Sequence, residues 1–342
     1  MEAKFYKKID GKVHCLLCPR KCLITGGRTG FCGVRKNING KLYSLVYGKL
    51  TSAQVDPVEK KPFYHFYPGS SVFSISTFGC NFRCKFCCNY NLSQKIEISS
   101  VDTKAKEVVS MAIESRSDGI AYTYNEPTIF IEYSLEIAKL AKKYGLYNVF
   151  VTNGYIEEEP IKEISKYLDG VVIDVKGSLD KKFLNDYCSV KKGEKILDSM
   201  ISYKNKGVHL EVTDLIIPKI GDDLKKVEEL VSWVRDNLGE NTPFHFIGFF
   251  PSYKCLDLKY TTPDFLKRCW EIGKKYLNYV YAYTSIDPGN PMNNTFCPNC
   301  NESLLIRFGC SLVENKLVSG KCPTCGNKIF GVFYDKNRRR GT

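Results

Sequence analysis

SVFSISTFGCNFRCKFC, Ser71–Cys87, decides the fold class. It opens as an apolar, strand-like run and passes through Gly79 straight into three cysteines spaced C-x3-C-x2-C: Cys80, Cys84 and Cys87. Beyond it, apolar β-type runs alternate with helix-period segments: "TKAKEVVSMAIESR", "GIAYTY", "TIFIEYSLEIAKLAKKYG", "YNVFVT", "PIKEISKYL", "GVVIDV", "GEKILDSMISYKNKG", "VHLEVTDLIIP", "DLKKVEELVSWVRDNLG", "PFHFIGFF", "PDFLKRCWEIGKKYL" and "YVYAYT". Strand then helix, about six times over, calls for right-handed crossovers and a mostly parallel sheet. The count falls short of a closed eight-unit barrel, so residues 72–285 are expected to form an open or partial α/β barrel. Chemistry in such folds sits at the carboxyl ends of the strands, where the three cysteines lie.

The flanks differ in composition. Residues 1–71 are rich in Cys, Gly and Pro around a short strand-like "KLYSLVYGKL", and read as a loop-rich cap. From residue 286 the turn-rich "DPGNPMNN" leads into "CPNC" and "CPTCG", so 286–342 reads as a small appendage. No solenoid-type repeat or low-complexity tract interrupts the chain.

A chain of 342 residues can bury a full core without disulfides. No run approaches the eighteen apolar residues of a membrane span, and "MEAKFYKKIDGK" has no apolar signal-peptide centre. The expected location is the cytoplasm, where ordinary thiols stay reduced. Sixteen cysteines there need another explanation, and most fall into three tight groups, with Cys188, Cys255, Cys269 and Cys310 scattered; Cys88 adjoins one group. Such clustering points to metal. The formal charge of +13 is spread over lysines mixed with acids, the pattern of solvated helix faces, and "KNRRRGT" reads as a frayed basic tail. Charge alone therefore leaves nucleic acid only as an alternative partner.

Three thiolates cannot close a tetrahedral zinc site, but they can hold three irons of a 4Fe-4S cluster and leave the fourth open. Phe86, before the last cysteine, would shield such a cluster from water. A zinc knuckle borrowing Cys88 is the competing interpretation, disfavoured because adjacent residues rarely both reach one ion. Cys297, Cys300, Cys322 and Cys325 form paired CxxC knuckles, the pattern of a structural zinc ribbon. Cys15, Cys18, Cys22 and Cys32, spaced C-x2-C-x3-C-x9-C, supply four ligands for zinc or for a second iron-sulfur cluster, and spacing does not choose.

C-x3-C-x-aromatic-C after the first strand of a partial barrel resembles the radical S-adenosylmethionine (SAM) superfamily, which implies a partial (β/α)6 radical SAM barrel. In relatives of the pyruvate formate-lyase activating enzyme, a Gly-Gly-Glu-Pro motif after the second strand receives the SAM amino group. Here "AYTYNEPT" offers Asn125, Glu126 and Pro127 as its variant, a segment that also suits a helix start. After the third strand "FVTNGY" is similar to their Asp-Thr-Asn-Gly, which assigns Thr152 and Asn153 to SAM. Val151 stands where they have aspartate, which puts a monovalent-cation site in doubt. After the fourth, "IDVKG" is similar to Asp-Leu-Lys and assigns Asp174 and Lys176 as polar contacts to SAM.

"GGRTGFCGVR", "DPVEKKPFYHFYPGS", "AYTYNEPTIF" and the tail knuckles extend the likeness over nearly the whole chain, to the AmmeMemoRadiSam system radical SAM enzymes. Cys88 replaces an expected glutamine, and Ile247 and Gly248 an expected Ser-Arg pair, so pocket and substrate can differ. The resemblance implies an oxidoreductase-type enzyme that cleaves SAM reductively to a 5'-deoxyadenosyl radical for hydrogen abstraction from an unidentified substrate. It would draw electrons from a donor such as ferredoxin or flavodoxin and act with Memo-like and AMMECR-like proteins. Alternatives are a glycyl radical enzyme activase, an RNA-modifying radical SAM enzyme, and a non-catalytic iron-sulfur and zinc module. His65 and His245 are expected to be packed or capping residues, not catalysts.

Overall fold

A computed structural model describes residues 1–96 and 101–334; the basic "KNRRRGT" tail lies outside the described residues. Strands β1 (Tyr6–Ile9), β2 (Lys12–Cys15) and β3 (Leu23–Ile24) form a small antiparallel sheet, and β4 (Arg35–Ile38) and β5 (Lys41–Ser44) form a hairpin. Next, β6 (Ser52–Pro57), although inside the cysteine-rich first segment, pairs antiparallel with β7 (Ser71–Ser76) in the central sheet. From there the sheet is parallel and follows chain order through β8 (Gly119–Tyr122), β9 (Tyr147–Thr152), β10 (Gly170–Lys176), β11 (His209–Ile216), β12 (Phe244–Gly248) and β13 (Val280–Tyr283). Its two edges, β6 and β13, do not pair, so the barrel is open as the count of units predicts.

Helices α1 (Tyr90–Ser93) and α2 (Ala105–Glu114) follow β7, and α3 (Ile131–Lys143) follows β8. After β9 comes α4 (Glu158–Ile164), after β10 both α5 (Lys181–Cys188) and α6 (Glu194–Asn205), then α7 (Leu224–Leu238) and α8 (Pro263–Lys274). The local causes are visible in α7: Val227, Leu230, Val231, Val234 and Leu238 form one buried stripe, Asp223 accepts the Lys225 N–H, and Gly239 ends the helix at φ +92°. Helix α5 is not foreshadowed by periodicity, because only Phe183, Leu184 and Cys188 are buried on it. It forms because Asp180 accepts the Phe183 N–H after a left-handed turn through Gly177, Ser178 and Leu179.

Both flanks are bound to the core. Arg35 of β4 donates to both oxygens of Glu132 on α3, at 2.9 and 2.8 Å, with both side chains at most 2% exposed. The tail strands β14 (Thr295–Phe296), β15 (Ser303–Phe308) and β16 (Ser311–Asn315) pack beneath the barrel, where Leu304 and Leu305 bury against Tyr64, Tyr279 and Tyr281. There Glu211, near the start of β11, accepts from the N–H groups of Tyr64 and His65 and from the imidazoles of His209 and His245. His65 and His245 are both fully buried in this floor. Among the described residues no helix is long and apolar enough to cross a membrane.

Candidate functional site

The loop after β7 carries the three cysteines, and its entry is fixed by close packing. Gly79 sits at φ +87°, and a Cβ there would lie 2.8 Å from the Cys32 carbonyl oxygen and from a Val34 methyl. Only glycine tolerates both the angle and the approach. Asn125, just after β8, ties the loop to the strand end: its Nδ2 donates to the Gly79 carbonyl at 3.0 Å and its Oδ1 accepts the Thr77 N–H at 3.2 Å.

The thiols of Cys80, Cys84 and Cys87 lie at this strand end. Burial holds the Cys80 and Cys87 thiols above their usual range; Cys84 is pushed up first by the Cys188 thiol and then by burial. Donors already face them: the Phe82 N–H reaches Cys80 Sγ at 3.3 Å, and the Ser93 hydroxyl lies 3.2 Å from Cys87 Sγ. Phe86 is buried and stacks on Phe183, with ring centroids 5.6 Å apart. Cys88 is exposed.

Consecutive strand ends complete the rim. Glu126, 3% exposed, accepts at Oε1 from the Thr128 N–H (3.0 Å) and the Thr152 hydroxyl (2.6 Å), and at Oε2 from the Asn153 N–H (2.8 Å). Burial raises its pKa against those donors. Three of roughly four acceptor positions on the carboxylate are thus filled from within the chain. Pro127 begins the 3-10 turn that leads into α3, but the capping side chain is Glu126 and not the expected Asn125, whose amide is taken up by Thr77 and Gly79. Asn153 Nδ2 donates to Asn81 Oδ1 at 2.8 Å and lies 3.9 Å from Cys80 Sγ. At the end of β10, Lys176 Nζ donates to Asp174 at 2.8 Å, and the Thr213 hydroxyl donates to the other Asp174 oxygen at 3.1 Å. Burial alone would depress the Lys176 pKa, but the Asp174 carboxylate and the Cys84 thiol hold it above its usual value.

Cysteine loop and polar strand ends therefore surround one face of the barrel. The family model of the radical SAM superfamily matches residues 74–234, which span that loop and β8 to β11. An uncharacterized protein of Methanocaldococcus jannaschii is 40% identical over 334 residues, 96% of this chain and 98% of its own. This chain belongs to the radical SAM superfamily. A pyruvate formate-lyase-activating enzyme of Clostridium pasteurianum is 26% identical over 59% of this chain and 87% of its own. In fold, the crystal structure of a radical SAM methyltransferase from Sphaerobacter thermophilus matches with a TM-score of 0.51 at 14% identity, covering 64% of this chain and 68% of that one. Membership makes the protein a radical SAM enzyme and implies a 4Fe-4S cluster and SAM.

In this radical SAM enzyme the other cysteine groups sit apart from the rim and differ from each other. Cys297 and Cys325 place their sulfurs 3.6 Å apart, as do Cys300 and Cys322, and together the four form a group able to bind a metal. Hydrogen bonds from the Asn299 side chain and the Asn327 N–H pull Cys325 down to about 6. Cys300, despite the Glu302 N–H beside it, is pushed up by desolvation and by its neighbouring thiols. Cys15, Cys18, Cys22 and Cys32 surround a small cavity on the other side of Gly79 and Asn81.

Sequence reasoning missed three participants at the rim. Asn81 inside the cysteine loop, Cys188 against Cys84, and Asp214 all approach it through tertiary contacts. Burial pushes Asp214 up to about 6 even though Ser178 donates to it through both its N–H and its hydroxyl. The left-handed Gly177–Leu179 turn was the available signal, since "KGSLD" follows a strand end and precedes a capping aspartate.

Proposed function

We propose that Cys80, Cys84 and Cys87 hold a 4Fe-4S cluster and that the surrounding strand ends bind SAM for reductive cleavage. When bound, such a cluster with one open iron would supply one electron to the SAM sulfonium, so that the S–C5' bond would break to methionine and a 5'-deoxyadenosyl radical able to abstract hydrogen from the substrate. The observation that carries this reading is the coincidence of three thiols, Cys84 buried and Cys80 and Cys87 half-buried, with polar groups from three successive strand ends. Asn125, Pro127, Thr152 and Asn153 would shape the cradle, and Glu126 would offer its remaining acceptor position to the SAM ammonium. Lys176, held protonated by Asp174, would pair with the SAM carboxylate. Phe86 keeps water from the cluster.

Zinc in the Cys297, Cys300, Cys322, Cys325 group is the matching proposal for the tail, supported by the sulfur contacts of 3.6 Å. The three regions 1–71, 72–285 and 286–342 then act as cap, catalytic core and metal-stabilised appendage of a cytoplasmic protein. Electrons would come from a ferredoxin or flavodoxin, and Memo-like and AMMECR-like proteins are the candidate companions. A second reading, activation of a glycyl radical enzyme, rests on the likeness to the activating enzyme.

Anaerobically reconstituted protein, given SAM and dithionite, is expected to release 5'-deoxyadenosine. A full cluster with no cleavage would leave only the binding-module alternative.

A further inference from the structure

From the cavity between the N-terminal extension and the catalytic loop we infer that Cys15, Cys18, Cys22 and Cys32 hold a second, fully ligated 4Fe-4S cluster rather than zinc. The inference rests on the proposed function of the Cys80 site and assigns its electron supply. Four thiols, Arg35 and Asn81 meet at this cavity, with Leu17 and Ile129 as apolar wall.

Three observations favour a cluster. First, the sulfurs stand around space instead of around a point. One zinc at about 2.3 Å from each thiolate draws the sulfurs to roughly 4 Å of one another. The tail knuckles are drawn together in that way, all four sulfurs lying within 4.8 Å of one another, whereas no three of the Cys15, Cys18, Cys22 and Cys32 sulfurs lie that close. A cluster instead puts four irons and four sulfides between its thiolates.

Second, the cavity is lined with donors. The Phe31 N–H lies 3.5 Å from Cys22 Sγ. Arg35 is 1% exposed, and its Nε has no hydrogen-bond partner although the rest of the guanidinium is paired with Glu132 and the Lys4 carbonyl. A buried guanidinium beside Cys15 at the wall of a thiol-lined cavity suits a thiolate-ligated cluster, whose sulfurs accept hydrogen bonds that tune it.

Third, the cavity lies between solvent and the catalytic loop. Cys22 also lines an open cleft with Arg20, Lys21, Lys191 and Lys192. On the inner side, Arg20 Nε donates to the Asn81 carbonyl at 2.6 Å, and the Cys32 carbonyl abuts Gly79. With all four irons ligated by cysteine there is no open position for SAM, so this site exchanges only electrons. One electron enters from a small acidic low-potential carrier protein docked on the basic cleft, and one leaves toward the Cys80 site. No atoms are transferred, and the second cluster returns to its oxidised state.

Metal and sulfide content decide the matter. Reconstituted protein should contain about eight irons and eight sulfides, plus one zinc. C18A/C22A should drop to about four irons, keep its zinc, and retain a paramagnetic signal that SAM perturbs. C80A/C84A/C87A should keep about four irons whose signal ignores SAM. That second variant keeps the test decisive if the first fails to fold. Wild-type protein with about four irons, all lost in C80A/C84A/C87A, or with a second zinc in place of iron, overturns the inference and leaves the proposed function standing. Protein with no iron at all sinks both.

Discussion

The two ends of the barrel each bury a glutamate, and the contrast between them separates chemistry from architecture. Glu211, at the floor, is enclosed by four donors, and its pKa is held far below the carboxylate range: burial opposes the charge, but His209 and His245 outweigh it. Glu126, at the rim, has three donors and a pKa raised by burial. The floor carboxylate is satisfied without a ligand. The rim is left needing positive charge, which is what an ammonium and an iron cluster bring. Polar density in the sequence does not distinguish the two, because "FYHFYPGS" looks as site-like as "YTYNEPT" until the topology assigns them to opposite ends.

The largest expected effect lies at the rim. Cys84→Ala should abolish 5'-deoxyadenosine formation while zinc content is unchanged, measured by chromatography and metal analysis on the same preparation. Full turnover by that variant would end the assignment of the loop. At the floor, Glu211→Ala should leave cluster assembly intact but lower unfolding stability by about 3–5 kcal/mol, because it strands two imidazoles and two buried N–H groups. Urea titration checks this, and a loss below 1 kcal/mol would mean that water replaces the carboxylate.

A finer effect tests the rim's charge design. Lys176→Met removes a cation paired with Asp174 at 2.8 Å, and should weaken SAM binding by about 1.5–3 kcal/mol, roughly 10- to 150-fold, with iron content unchanged. Equal affinity in the variant would restrict Lys176 to its ion pair.

The barrel was legible because continuous apolar strands such as "GVVIDV" and one-sided helices such as "LKKVEELVSWVRDNL" carry their burial in their spacing. The cysteine groups and strand-end motifs were legible for the same local reason. What stayed hidden depends on residues far apart in the chain: Arg35 with Glu132, Gly79 against Cys32, and Glu211 with Tyr64 and His65. No local pattern specifies such partners, since each pairing exists only after the crossovers set the register. The tail makes the point in reverse, because its knuckles announce a metal group while its contact with Tyr64 under the barrel goes unannounced.

The smallest predicted effect concerns protons at the floor. His65 is fully buried between the Phe330 carbonyl at Nδ1 and the Tyr281 hydroxyl at Nε2, each at 2.5 Å. The imidazole donates to the carbonyl and accepts from the hydroxyl, so a second proton would displace the Tyr281 donor. Burial pushes its pKa down to about 3, with Arg307 and His209 adding to the fall and Glu211 opposing it. Below the unfolded value near 6.5 the unfolded chain takes up a proton that the folded chain refuses, so this contribution is complete above pH 6.5 and is lost as pH falls. At pH 5 one such histidine costs about 2 kcal/mol. His65→Gln, whatever its stability at pH 7.5, should therefore lose about 2 kcal/mol less than wild type on going to pH 5, because acid effects elsewhere cancel in the difference. Parallel stability profiles for the two proteins would show that His65 is protonated in the folded floor, and the contrast between a finished floor and a charge-seeking rim would then weaken.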